Sequence, residues 1–417
     1  MDLAVNGARL RSDIETNAEF GAVDVSDGRA RTVRTGTPAN RRARDHLVDR
    51  MEAAGLEVRT DAVGNVAGRW EHPSATGAAP VAAGSHLDSV PEGGIFDGPL
   101  GVYAALEAIR TMRDADLRPD RPIEVVCFTE EEGGRFASGL LGSSVASGHR
   151  SVEEALELTD SDGVRLEDAL ETIGYRGDGR FDAANWDAWL ELHIEQSDRL
   201  ETAGVSAGVV TTITGITHCE VTIEGEANHA GSTPMSDRTD ALAAASEFVL
   251  DIERAANQLV AEESPTAVGT VGSVDAAPNA TNVVPGRVQL GLDVRDVESG
   301  SMNELVDRAR RSLDRLERTR GVTTTLSRPF DLEPIPMADR CRDALHEAGD
   351  AHSVETVELH SGAAHDTMHV ASVTDAGMLF APSRDGISHS PLEWTDWDDC
   401  AAATTVLTGA LAQLVEA

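Results

Sequence analysis

The chain has 417 residues, more than one hydrophobic core usually serves, so two domains are expected. Its 72 acidic against 35 basic residues give a net charge of −37; every basic residue is arginine, and no lysine occurs. This balance leaves no basic footprint for nucleic acid, and no run of about 18 apolar residues is present to span a membrane.

The opening residues, Met1-Asp2-Leu3-Ala4-Val5-Asn6, lack the basic-then-apolar order of a signal peptide, so a cytoplasmic location without a membrane partner is expected. Cys127, Cys219, Cys341 and Cys400 stand far apart and form no CxxC pair, which argues against a disulfide framework and a thiolate metal site. The acidic residues are spread along the chain rather than blocked. They read as a hydrated shell suited to a salt-rich, halophilic cytoplasm, where repulsion is screened within about 3 Å at 1 M salt.

In chain order, Thr37 and Pro38 open a helix over 41–54 that Gly55 closes: threonine caps, proline suits the first turn, and glycine accepts the left-handed exit. Apolar runs at 80–86, 123–128 and 189–193 read as buried strands, each ending at a polar residue. A helical period at 101–112 lies between the first two. That order predicts parallel strands with crossover helices, whose ligands bind beyond the carboxyl ends of the strands. From about residue 210 the pattern changes: 211–224 and 288–294 alternate like half-exposed strands, and helical stretches cover 240–262 and 302–317. The apolar runs resume near 328 and lead to a helix over 396–415. The expected class is α/β, a mixed, largely parallel sheet flanked by helices, built from residues 1–209 and 329–417. A smaller α+β domain, 210–328, is inserted between them.

Five segments gather histidine and carboxylate at strand ends: Gly84-Ser85-His86-Leu87-Asp88-Ser89, Phe96-Asp97-Gly98-Pro99-Leu100-Gly101, Thr129-Glu130-Glu131-Glu132-Gly133, His193-Ile194-Glu195-Gln196 and Ile387-Ser388-His389-Ser390-Pro391. Imidazole and carboxylate are ligands for zinc, manganese, cobalt or nickel. Each segment alone is an ordinary loop; five together point to a metal site.

With Asp61-Ala62-Val63-Gly64-Asn65 and Asn228-His229-Ala230-Gly231-Ser232-Thr233-Pro234-Met235, these segments make the chain resemble the M20-type dinuclear metallohydrolases over nearly its whole length. The branch it resembles holds the N-carbamoyl-L-amino-acid hydrolases, allantoate amidohydrolases and β-ureidopropionases. The resemblance implies two divalent ions per subunit, zinc foremost, held by His86, Asp97, Glu132, His193 and His389. Asp97 would bridge both ions, the peptide after it would be cis at Gly98, and Asp88 would orient the His86 imidazole. Glu131 would be the general base for a metal-bridging hydroxide, with Glu130 an ordinary acidic loop residue. His229 would donate to the oxyanion, while Gln196, Asn282, Arg295 and Gly362 would bind substrate, Arg295 pairing with a free carboxylate. Two positions depart from the family pattern: Ala364 and Ser197 stand where glycine is usual.

The inserted domain would serve as lid and dimerisation domain, joining two subunits into a homodimer and sending His229 into the site of the other subunit. The implied activity is hydrolysis of the C–N bond of an N-carbamoyl amino acid or related ureido acid. A metallo-carboxypeptidase or dipeptidase on the same scaffold is the alternative enzyme, and a protein that binds amino-acid-like ligands is the non-enzymatic one. The segments around Gln196, Asn282 and Arg295 favour the carbamoylase branch, and retention of Glu131 with all five ligands favours an enzyme.

The charge pattern generates a prediction of its own. Repulsion among 72 carboxylates reaches about 30 Å at 0.01 M salt and about 3 Å at 1 M. Melting temperature should therefore rise with potassium chloride up to molar concentration; a flat or falling curve removes the halophilic reading and leaves the metal site untouched.

Overall fold

The strand Val81–His86 is made of small side chains because it is buried on both faces in the middle of a sheet. In the computed structural model, which describes residues 3–73, 75, 77–137 and 139–416, this strand pairs in parallel with Ile123–Phe128 on one side and Ala188–Ile194 on the other. Ala188–Ile194 in turn pairs in parallel with Asp375–Ala381. These four strands are buried along almost their whole length, as their near-continuous apolar sequences require. Antiparallel strands Val66–Trp70 and Glu57–Thr60 extend one margin, and Ala207–Ile213 extends the other. The sheet is thus mixed, parallel at its centre, and flanked by helices.

The helices begin and end where local chemistry sets them. Pro38–Ala53 is capped by Thr37, whose hydroxyl accepts the Asn40 N–H at 3.3 Å, and Gly55 at φ 74° turns the chain away. Pro99–Asp114 is buried over nearly every turn and packs on Val81–His86 and Ala188–Ile194. Gly101 allows that approach, because a Cβ there would collide with the Leu192 carbonyl oxygen. The helix Trp397–Glu416 packs on Asp339–His352 and on Pro99–Asp114. Among the described residues no helix is long and apolar enough to cross a membrane.

A second compact unit runs from Thr212 to Ile335, and the first comprises the chain up to Thr211 and from Pro336 on. The second has its own antiparallel sheet, in the order Val268–Ala277, Arg287–Asp296, Gly215–Glu224, Thr323–Leu332. Val288, Leu290, Leu292 and Val294 alternate inward and share a core with Phe248 and Ile252 of Ala241–Glu262 and Leu305 and Leu313 of Ser299–Arg320. These bounds differ from the expected 210–328. The single strand expected over 211–224 divides at Thr214 into Ala207–Ile213, in the first sheet, and Gly215–Glu224, in the second. Small and apolar residues recur every second position through Ile213, Gly215, Thr217 and Cys219, so alternation alone does not reveal the change of sheet. At the other end Thr323–Leu332 carries the unit past residue 328. Val268–Ala277 has no counterpart among the expected elements, because its glycines and largely two-sided exposure leave no alternation to read.

The tightest point of the central sheet is Gly84, where a Cβ would collide with the Val126 carbonyl oxygen. Gly84→Ala should destabilise the protein by about 3 kcal/mol or more, the upper range for overpacking. Gly272→Ala, with no atom within 4 Å of the added carbon, should leave thermal denaturation nearly unchanged. Equal melting temperatures for the two variants would contradict this account of the strand packing.

Candidate metal centre

Parallel strands deliver the candidate residues to one end of the sheet. His86 closes its strand, Glu130, Glu131 and Glu132 follow Ile123–Phe128, His193 is next to last in Ala188–Ile194, and Ser388 and His389 follow Asp375–Ala381. Asp97 is placed by the start of Pro99–Asp114, where Gly98 takes φ 80° and Pro99 opens the helix. The Asp97–Gly98 peptide is trans, against the cis form expected; the cis bond among the described residues is Ala277–Pro278. The left-handed conformation of Gly98 makes the turn without it. A side chain at this glycine would also meet the His86 ring.

Asp97 stands between two groups of imidazoles. Its Oδ1 lies 3.5 Å from His86 Nε2 and 3.3 Å from His193 Nε2, and its Oδ2 lies 3.6 Å from His389 Nε2. Glu132 Oε2 is 3.3 Å from the same His389 nitrogen, and Glu131 Oε2 is 3.5 Å from His86 Nε2. Three sets of potential ligand atoms therefore converge: His86, Asp97 and His193; His86, Glu131 and Glu132; and Asp97, Glu132 and His389, each with its atoms within 4.8 Å of one another. The first set is fully buried, whereas the His389 side chain is 50% exposed, so the second half of the site is the one open to solvent.

The two buried imidazoles are held in one tautomer. His86 Nδ1 lies 3.2 Å from the main-chain oxygen of Asp88 and His193 Nδ1 lies 3.0 Å from that of Ile194, so in the neutral rings each Nδ1–H donates outward and leaves the Nε2 lone pair facing the centre. Asp88 thus orients His86 through its main-chain carbonyl, whereas the resemblance implied that its carboxylate would do so. The carboxylate is 3.9 Å from Nδ1 and accepts instead the Glu132 N–H at 3.1 Å. His86 Nε2 is buried without a hydrogen-bond partner. A buried ring nitrogen aimed at carboxylates, in a set of imidazoles and acids, is the donor chemistry of a divalent metal site, and these residues fit one.

Electrostatics support that fit. Burial, together with Asp97, pushes Glu132 up to about 8, and burial holds Glu131 well above the usual carboxylate range, with Glu132, Asp366 and Asp97 adding to it. Burial also works against Asp97, yet the His193 and His86 imidazoles keep it well below its usual value. Burial opposes protonation of His193, but Asp97 raises it to about 9.

The three glutamates have three surroundings. Glu130, expected to be an ordinary acidic loop residue, is buried, and its Oε1 accepts the N–H groups of Arg135 and Phe136 at 2.5 and 2.7 Å. It closes the loop that carries the other two. Gln196 Nε2 donates to Asp97 Oδ2 at 3.0 Å, and Ser388 Oγ donates to the same oxygen at 2.9 Å. Gln196 thus meets a candidate ligand directly. Glu393, buried, accepts the N–H of Phe96 at 2.9 Å and of Asp97 at 3.0 Å. Ser388 belongs to the segment Ile387-Ser388-His389-Ser390-Pro391, but no local pattern points to Glu393. Gly362 is exposed and has no atom within 4 Å of where a Cβ would stand, which leaves room beside the backbone.

His229, Asn282 and Arg295 belong to the second unit. The Asn282 carbonyl accepts the Ala230 N–H at 2.9 Å, which joins the segments bearing His229 and Asn282. His229 Nδ1 accepts the N–H groups of Gly231 at 3.0 Å and Ser232 at 3.1 Å. This arrangement fixes the proton of the neutral ring on Nε2, making that atom a donor. Arg295 shares its strand face with Asp293 and donates to that carboxylate through Nε at 3.0 Å.

The sequence profile described as peptidase family M20/M25/M40 matches residues 82–413. The N-carbamoyl-L-amino-acid amidohydrolase of Paenarthrobacter aurescens is 39% identical over 403 residues, covering 96% of each chain. That of Geobacillus stearothermophilus is 39% identical over 404 residues, covering 95% of this chain and 97% of the relative. The crystal structure of an amidase of the hydantoinase/carbamoylase family from Burkholderia multivorans superposes with a TM-score of 0.93 at 34% identity, covering 100% of both chains.

The metal-free protein should lose stability as pH rises above about 6.5. A carboxyl whose pKa is higher folded than unfolded binds its proton more firmly in the folded chain, so stability falls as pH rises between those two values. For Glu132 that window runs from 4.5 to about 8. Glu393, at about 7, and Asp366, at about 8, act in the same direction. His193 adds stability below 6.5 that is lost as pH climbs through about 9. Below pH 6.5 the lowered pKa values of His365 and His369 act in the opposite direction, so melting temperature in chelator should fall from about pH 6.5 to about pH 9, and saturating divalent metal should abolish the decline because cations replace protons. A metal-free curve that rises over this range would show that these carboxyl groups do not hold their protons more firmly in the folded chain.

Proposed function

The chain belongs to peptidase family M20/M25/M40, and from that premise we propose that this amidohydrolase cleaves the ureido C–N bond of an N-carbamoyl amino acid or related ureido acid at two divalent ions. It is a hydrolase of non-peptide C–N bonds, as are the curated relatives it matches over nearly their whole length. The observation that carries the two-ion reading is the division of Asp97, with one oxygen toward His86 and His193 and the other toward His389. His86, Asp97 and His193 would hold one ion, and Asp97, Glu132 and His389 the other, zinc being the metal assigned and manganese, cobalt and nickel its competitors. Bound divalent ions acidify water and polarise the carbonyl group.

The remaining steps belong to side chains of the protein. Glu131, beside His86 and unneeded as a ligand in either set, accepts the proton of the attacking water and returns it to the leaving nitrogen. His229 donates through Nε2 to the oxyanion, the role its tautomer suits. Arg295 pairs with the substrate carboxylate, exchanging it for Asp293, while Gln196, Asn282 and Gly362 orient the ureido and carboxylate groups. The subunit is assigned to a homodimer joined through the insert, whose edge strand Val268–Ala277 has Val268 and Val274 half exposed, and His229 is assigned to the site of the other subunit.

The test is ammonia release from N-carbamoyl-L-amino acids, allantoate and 3-ureidopropionate, with dipeptides assayed for free amine. Carbamoyl or ureido substrates should turn over, and Glu131→Gln should keep its metal while losing about 10²- to 10⁴-fold in rate. Turnover of dipeptides alone would transfer the chain to the peptidase reading. Mixing His229→Ala with Glu131→Gln under subunit exchange should restore activity, since one site of each mixed dimer is complete; no recovery despite exchange would confine His229 to its own chain.

A further inference from the structure

Arg31 is one of the largest fully buried side chains in the protein, although it carries a permanent charge. Removing such a charge from water costs several kcal/mol unless its donors are satisfied. Its hydrogen bonds run to four main-chain carbonyl oxygens: Nε to Gly94 at 3.0 Å, Nη1 to Leu87 at 2.9 Å, and Nη2 to Asp97 at 3.1 Å and Asp88 at 3.4 Å. Two of these carbonyls belong to the residues following His86 and two to the loop that ends at Asp97. The fork of one guanidinium therefore ties together the backbones that present both residues.

Glu393 grips the same loop through its N–H groups. Its Oε1 accepts those of Phe96 and Asp97, and Gly94 permits the approach, because a Cβ at residue 94 would collide with the Glu393 carboxyl group. The main-chain N–H of Asp97 is thus fixed by a carboxylate and its C=O by a guanidinium. With both ends of the residue held, its side chain has little freedom to turn away from the position that sends Oδ1 to one pair of imidazoles and Oδ2 to the third.

We propose that Arg31 and Glu393 are positioning residues that clamp the backbone of Asp97, so that its carboxylate can serve two metal ions at once. This inference rests on the two-ion reading above. Lysine cannot replace Arg31, since an ammonium offers no planar fork to reach carbonyls on two loops. Glutamine can replace Glu393, since its amide oxygen accepts the same two N–H groups.

Titration of the metal-free protein with cobalt(II), following stoichiometry and the visible absorption of the bound ion, tests the clamp without an activity assay. The wild-type chain should bind two ions. Arg31→Lys and Glu393→Ala should weaken binding of at least one of them tenfold or more and alter the spectrum, while Glu393→Gln should restore both toward wild type. A merely structural role would lower the melting temperature and leave stoichiometry and spectrum unchanged. Wild-type cobalt binding in Glu393→Ala overturns the clamp, and this variant decides the matter alone if Arg31→Lys does not fold. Failure of the wild-type chain to bind two ions, with Asp97→Asn behaving identically, would instead remove the two-ion reading.

Discussion

Asp88, Asp97, Glu130, Glu131, Glu132 and Glu393 crowd one largely buried end of a sheet, where carboxylates repel strongly and water does little to screen them. Most of the local structure can be understood as compensation for this repulsion. Glu130 is answered by two main-chain N–H groups, Glu393 by two others and Asp88 by the N–H of Glu132. Arg31 supplies a buried positive charge with Glu393, Asp97, Glu132 and Asp88 around it. What remains inadequately compensated is the set facing the centre: Glu131, Glu132 and one oxygen of Asp97, with imidazole lone pairs beside them. Divalent cations relieve that remainder most effectively, because they satisfy acid and imidazole together.

Placing these groups requires unusual backbone. Glu130 at φ 58°, Gln196 at φ 59° and His389 at φ 54° all occupy the left-handed region without being glycine. Each such residue costs about 1 kcal/mol or more. All three follow strands of the parallel core, where the chain must turn sharply to bring a side chain over the strand ends. The cost is offset locally: the Gln196 N–H donates to Ser383 Oγ at 3.1 Å, and the Glu130 carboxylate folds back on its own loop. Rigid strands and strained turns together hold these groups close to one another.

The second unit presents a different solution. Its hydrophobic core is separate from that of the first unit, and His229, Asn282 and Arg295 lie on its loops and strand surface. There the side chains engage each other or nearby backbone, as His229 does with the Gly231 and Ser232 N–H groups and Arg295 with Asp293. Such contacts set a tautomer and an orientation at exposed positions where burial cannot.

Several features were legible because they depend on neighbours in the chain. The buried strands followed from continuous apolar runs, the Thr37 cap and the Gly55 exit from local hydrogen bonding, and the strand-end position of His86 and the glutamates from the order of the motifs. Assigning His193, His389 and the insert residues their roles needed resemblance, since no spacing relates positions so distant. The sequence left the surroundings of Glu130 and Asp88 misread: whether a carboxylate meets solvent, an imidazole or a main-chain N–H depends on what folds over it, and Glu130 looked like its neighbours. Arg31 and Glu393 were invisible for the same reason, since their partners are main-chain groups, which every sequence contains and none distinguishes. The chain's own order therefore determined the strands, the caps and the supply of ligand groups at strand ends. Tertiary structure alone decided how the Asp97 carboxylate is presented to the imidazoles, because its backbone is held by groups brought together from segments nearly 300 residues apart, such as Glu393 and Asp97.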